Sequence, residues 1–184
     1  MNSNEVELDR LRRKVLWSMP SGLYVLGSRG YILDPITGER RIRSNLMTAN
    51  WVMQVSTSPK QVGISVDIKA LTHSLIRSGG VFSVNFIQRS DRAIVRQFVK
   101  PIPEDRVVYD AGGTILTMLG NTVYEGVTRS PILDLACAYL DCELRQEILL
   151  GSHSLFIGEV VDVSASGDGL EILGVQDTRM NYGG

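Results

Sequence analysis

Two hydrophobic periods divide the chain. Over residues 5–19 apolar side chains fall at Leu8, Leu11, Val15, Leu16 and Met19. This three-and-four spacing, with Arg and Lys between, predicts a surface helix that Pro20 and Gly22 stop. A period of two follows. Residues 23–26 predict a short strand, residues 61–67 alternate Val62, Ile64 and Val66 with small or polar positions, and residues 81–87 set Phe82, Val84 and Phe86 on one face. Strand-like runs at 132–133, 138–148, 155–163 and 170–173 complete the set. Two short helices interrupt it: one with Thr72 as N-cap, Leu75 and Ile76 inside and Gly79-Gly80 at its end, and one capped by Ser90 and running through Ala93, Ile94, Val95 and Phe98. Residues 29–43 carry turn signals at Asp34-Pro35 and Thr37-Gly38 and read as a loop or an extended hairpin. Residues 45–56 are mixed, and residues 101–120 have no clear period.

Many strands, few helices and no regular strand–helix alternation argue against a doubly wound sheet. They predict a mainly β, antiparallel fold with short helices, a closed or nearly closed barrel, in one domain over residues 1–184. With 43% apolar residues the chain has a core to bury, and its net charge of -1 gives no footprint for nucleic acid. No apolar run is long enough for a membrane span, and the polar first residues lack the apolar core of a secretory signal, so the expected location is cytoplasmic. Cys137 and Cys142 are five apart; on one strand they point to opposite faces, which disfavours a disulfide. No Cys/His cluster offers a metal site.

The sequence has no Walker loop, no Gly-x-Gly-x-x-Gly fingerprint and no Gly-x-Ser-x-Gly elbow. Its two histidines, His73 and His153, are eighty residues apart. Chemistry is therefore expected from a bound cofactor, with the protein supplying position and electrostatics. Two stretches suit a ligand. Asn45-Leu-Met-Thr-Ala-Asn-Trp51 sets small and amide residues beside an aromatic, as a backbone lying against a flat heterocycle requires; an ordinary strand with Trp51 in the core is the plainer reading. Ser65-Val-Asp-Ile-Lys-Ala-Leu-Thr72 leads through Lys69, one of four lysines against fifteen arginines, into a helix start whose free amides suit a phosphate. Simple capping beside a solvated lysine is the alternative there.

Six segments in order resemble the flavin reductase-like family of FMN-binding split barrels: Met19-Pro-Ser-Gly-Leu-Tyr-Val25, Asn45-Leu-Met-Thr-Ala-Asn-Trp51, Val55-Ser-Thr-Ser-Pro59, Thr72-His-Ser-Leu-Ile76, Gly80-Val-Phe-Ser-Val-Asn85, and the ten residues 151–160 beginning Gly-Ser-His. The resemblance implies a Greek-key split barrel in which Asn45, Thr48, Ala49 and Asn50 border the isoalloxazine and Trp51 packs. It implies that Ser65, Val66, Lys69 and Thr72 hold the ribityl chain and phosphate, that Phe82 and Asn85 line the same pocket, and that His153 stands beside the nicotinamide. It also implies FMN (FAD possible), NADH or NADPH as electron donor, a homodimer, and a monooxygenase or other acceptor of reduced flavin as partner. A flavoredoxin-like electron-transfer protein and a non-catalytic heterocycle-binding split barrel share these motifs. Three features depart from the family: Asn50 where it often has Ser, Gly-Ser-His for Gly-Asp-His, and the long 29–43 stretch.

Overall fold

The structure is a computed structural model that describes residues 3–34, 36–167 and 169–180. Its frame is a seven-stranded sheet built from β1 (Tyr24–Leu33), β2 (Arg40–Ala49), β3 (Val52–Thr57), β4 (Lys60–Asp67), β5 (Val81–Phe86), β10 (Ala138–Leu150) and β11 (His153–Ala165). The order is β2-β1-β5-β10-β11-β4-β3, and each adjacent pair is antiparallel. A second sheet joins β6 (Val107–Tyr109), β7 (Ile115–Met118), β8 (Asn121–Glu125) and β9 (Pro131–Leu133). The helices are α1 (Ser3–Trp17) and α2 (Leu71–Gly79).

The large sheet is buried on two faces. One face, with Leu26, Ala49, Ile64, Val66, Phe82, Val84 and Phe156, forms an inner core closed by Ile76 of α2. The other, with Leu23, Val25 and Leu46, packs on Phe98, Ile102, Met118 and Leu133 from the small sheet and its approach. Double burial explains why β1 begins as an apolar run and β2 is mixed: alternation is clean only where one face meets water. β4 keeps the period of two, with Val62, Ile64 and Val66 buried and Gln61, Ser65 and Asp67 turned outward.

The expected closed barrel is not what the chain forms. β2 and β3 are the sheet's two edges, joined only by Asn50 and Trp51, with no ladder between them. The link's backbone is committed elsewhere: the Trp51 carbonyl accepts the Ser65 amide of β4 at 2.9 Å. Of the two readings of residues 29–43, loop and extended hairpin, the hairpin forms, in register from Arg29↔Ser44 to Leu33↔Arg40; Pro35 of its turn lies outside the described residues. Its arginines are spent locally. Arg29 pairs with Glu125 at 2.9 Å, Arg41 and Arg43 with Glu104, and Arg40 lies over the Tyr31 ring.

Three smaller expectations also fail. Ala70, not Thr72, is the N-cap of α2, because Thr72 is turned into the interior and fully buried. Ser90 caps no α-helix: residues 89–98 make two 3-10 turns, and the Ser90 hydroxyl donates to Asp91 instead. Residues 170–173 make only an isolated bridge, Gln88↔Ile172, rather than a strand. The unpatterned 101–120 segment holds the small strands β6 and β7, three and four residues long, too short to display a period. Both cysteines are free and buried, and burial pushes the Cys142 thiol up to about 12. Among the described residues no helix is long and apolar enough to cross a membrane.

Gly158 on β11 faces the Phe82 ring so closely that a Cβ there would lie 2.4 Å from Cζ of Phe82 and 3.0 Å from Cβ of Cys142. Gly158→Ala should cost about 1–3 kcal/mol by overpacking; a urea unfolding curve with an unshifted midpoint would refute this account of the inner core.

Candidate functional site

The two stretches singled out from the sequence meet. Nδ2 of Asn45 on β2 donates to the Thr72 hydroxyl on α2 at 3.0 Å, and its Oδ1 accepts the Ile102 amide at 2.9 Å. This side chain, 2% exposed, therefore binds three segments around one cavity of about 290 Å3. Asn45 and Met47 form one wall, Asp67, Lys69 and the first residues of α2 a second, and Val99, Lys100 and Pro101 a third. The turn before α2 is set by Asp67, whose carboxylate accepts the Lys69 amide at 2.8 Å and whose carbonyl accepts the Ala70 amide at 2.9 Å. No side chain caps α2, so its first amides remain available to an acceptor in the cavity, with two lysines on the same rim. Donors of this kind fit a phosphate or another small anion.

The remaining predicted residues divide by strand alternation. Ala49 shares the face of Asn45 and Met47 and is buried in the inner core, whereas Thr48 faces the other way and its hydroxyl donates to the Val95 carbonyl at 2.5 Å. Asn50 is half-buried on the link, with Nδ2 3.4 Å from the Ser21 hydroxyl. Trp51 is 41% exposed rather than a core residue, and its ring lies against His153, centroids 4.8 Å apart. His153 opens β11 opposite Asp67, and Ser152 Oγ lies 2.9 Å from its Nδ1, so the hydroxyl occupies the orienting place of a carboxylate. Ser65 points outward beside Trp51, while Val66 is buried in the inner core.

Phe82 and Asn85 are not brought to this cavity. They lie on β5, which is covered on both faces. Phe82 is enclosed in the inner core, and the Asn85 amide is used up between the Val25 carbonyl at 2.9 Å and the Leu133 amide at 2.8 Å.

Sequence reasoning missed Met47, Asp67 and Lys100 as lining residues and gave His73 no part. Lys100 had one available signal, its scarcity as one of four lysines. His73 is buried, with Nε2 2.8 Å from the Ser154 hydroxyl. Ser154 gives its own proton to Glu147 at 2.9 Å, so His73 Nε2 must donate. Arg77, one turn along α2, reaches the same carboxylate at 3.2 Å. Burial holds the His73 imidazole below its ordinary value, Glu147 opposing and Arg77 reinforcing the shift. A larger cavity of about 520 Å3 beside His73 and Arg77, and an apolar one of about 410 Å3 beside Tyr24 and Phe86, do not unite the two predicted stretches.

The site thus consists of a mainly antiparallel sheet with an open edge at β2 and, beside that edge, a cavity whose donors suit an anion. The chain belongs to the family described as flavin reductase like domain, whose model matches residues 16–184. It is 28% identical over 152 residues to a high molecular weight rubredoxin of Moorella thermoacetica, covering 82% of this chain and 58% of that one. The chain spans about two thirds or less of the length of the curated relatives it first matches. Among solved structures it is similar to an FMN-binding protein from Thermus thermophilus with bound p-hydroxybenzaldehyde, at 27% identity and TM-score 0.62, covering 83% of this chain and 75% of that one. It shares its fold with flavin reductase HpaC complexed with NADP+, at 21% identity and TM-score 0.69, covering 95% and 96% of the two chains.

Because folded His73 resists protonation, the unfolded chain takes up a proton first as pH falls below about 6.5, the ordinary imidazole value. Stability is therefore expected to drop with pH below that point, and His73→Gln to flatten the slope. Equal slopes in urea titrations of the two proteins would contradict this.

Proposed function

We propose that this domain is an NAD(P)H-dependent flavin reductase that takes FMN, with FAD as the alternative flavin. The observation that carries the reading is the convergence of residues 45–51 and 65–72 on one cavity bearing Lys69, Lys100 and an uncapped helix start. The sequence likeness to an FMN-binding protein supports it.

Lys69, Lys100 and the first amides of α2 would hold the phosphate. β2 is an edge strand, so every second residue turns its amide and carbonyl away from β1 and offers them to the polar rim of a ring lying along 45–50. Trp51 lies against the His153 ring, and Ser152 Oγ contacts the imidazole that would orient the nicotinamide. When bound, the flavin supplies the redox chemistry, accepting a hydride from the nicotinamide and passing electrons on. The chain's part is to bind, orient and stabilise negative charge with preset donors. No side-chain nucleophile is needed, and reduced flavin would be delivered to a partner such as a monooxygenase.

A second reading, a flavoredoxin-like electron-transfer protein with tightly held FMN, draws support from the longer rubredoxin relative, of which this chain spans only part. Retention of flavin through desalting without bleaching by NADH or NADPH would favour it. We also propose a cytoplasmic homodimer, each chain acting as a single domain. Trp51, just before β3, and Met53 and Val55 on it are exposed, Val55 near Leu155, and α1 leaves Leu8, Leu11 and Val15 uncovered. Such surface is what a second copy would bury.

The purified protein should bind FMN and oxidise NADH or NADPH only when flavin is present. Lys69→Ala and Lys100→Ala should each weaken FMN about tenfold, the worth of one charge-assisted hydrogen bond, with the fold intact. Unchanged FMN affinity in both, by fluorescence titration, would remove the phosphate from this cavity. Met53→Glu should shift the mass measured by light scattering from two chains to one; a wild-type mass of one chain would sink the homodimer.

A further inference from the structure

We infer that His73, acting through Ser154 and Glu147, is the positioning residue that aims the first turn of α2 at the flavin phosphate. This rests on the phosphate reading of the cavity given above. α2 has only nine residues, and although Asp67 sets the turn before it, no side-chain cap fixes the direction of its free amides. The fixing comes from two adjacent residues tied to different strands. Thr72 is held by Asn45 of β2 and His73 by Ser154 of β11. Neighbouring helical side chains diverge by about 100°, so these two ties set both the rotation and the height of the turn. A third tie closes the system: Arg77, four residues after His73, returns to Glu147 of β10, the same carboxylate that Ser154 serves.

Among the described residues the hydrogen-bonding, aromatic and charged groups around the imidazole are Ser154 and the Phe156 ring of β11, Glu147 of β10, Arg77 of its own helix and, at longer range, Asp67 of β4. An apolar side chain would fill this space but lack direction, whereas an imidazole donating into the Ser154–Glu147 hydrogen-bond chain is held in one direction. Ser154 also directly follows His153, so the clamp that aims α2 holds the strand start bearing His153.

The test compares FMN with riboflavin, which has the same ring and no phosphate, by fluorescence titration at pH 8. Wild type should prefer FMN. His73→Leu should lose about tenfold in FMN affinity, on the scale of one well-aimed hydrogen bond to a charged group, with riboflavin affinity unchanged. His73→Gln, whose amide can still donate to Ser154, should recover most of the preference. A folded His73→Leu protein that keeps the wild-type preference, or that loses both ligands equally, overturns the inference while the flavin site stands. A wild type that does not distinguish FMN from riboflavin overturns the phosphate reading and this inference with it. Should His73→Leu not fold, Glu147→Gln takes its place: a reduced preference for FMN supports the clamp, and an unchanged one overturns it.

Discussion

One buried side-chain amide holds the site together. Asn45 gives a hydrogen to Thr72 and takes one from Ile102, thereby joining the edge strand β2, the start of α2 and the segment after the 3-10 turns. An unpaired buried polar group costs about 1–3 kcal/mol, so each partner of Asn45 is held in place by the penalty of leaving it. The three segments are far apart in the chain and none carries the cavity alone. Without this crosslink the lysines at 69 and 100 would have no reason to share a rim.

The open seam follows from how the backbone is committed. A closed barrel would pair β2 with β3, but the link between them is hydrogen-bonded to β4. The seam leaves β2 with unpaired backbone groups, which in most proteins invite aggregation and are covered or blunted. Here the groups border the cavity, where a flat polar-edged ligand would cover them. The liability of an edge strand and the requirement of the site are met by the same geometry.

The cavity itself was readable in outline because its two principal stretches, 45–51 and 65–72, are local in sequence and carry unusual residue types, amides beside an aromatic and a scarce lysine before a helix. Individual roles were less readable. Thr48 stands within the first stretch but faces the other side of its strand, because a strand turns successive side chains to opposite faces, whereas Phe82 shares the face of Asn45 and is enclosed in the inner core instead of reaching the cavity. Lys100 joins the rim from a segment whose sequence shows no period, and His73 takes its meaning from Ser154 and Glu147, eighty-one and seventy-four positions away.

Sequence by itself determined the mainly β, antiparallel character, the two helices, most of the long strands and the family. These rest on periodicity, breakers and ordered local motifs, which are written within a few residues. Tertiary structure alone decided that the sheet stays open, which of loop and hairpin residues 29–43 adopt, that Thr72 turns inward instead of capping, and which side chains reach the cavity. Those outcomes depend on competition among distant partners for the same donors, acceptors and buried faces, and no local pattern records who wins.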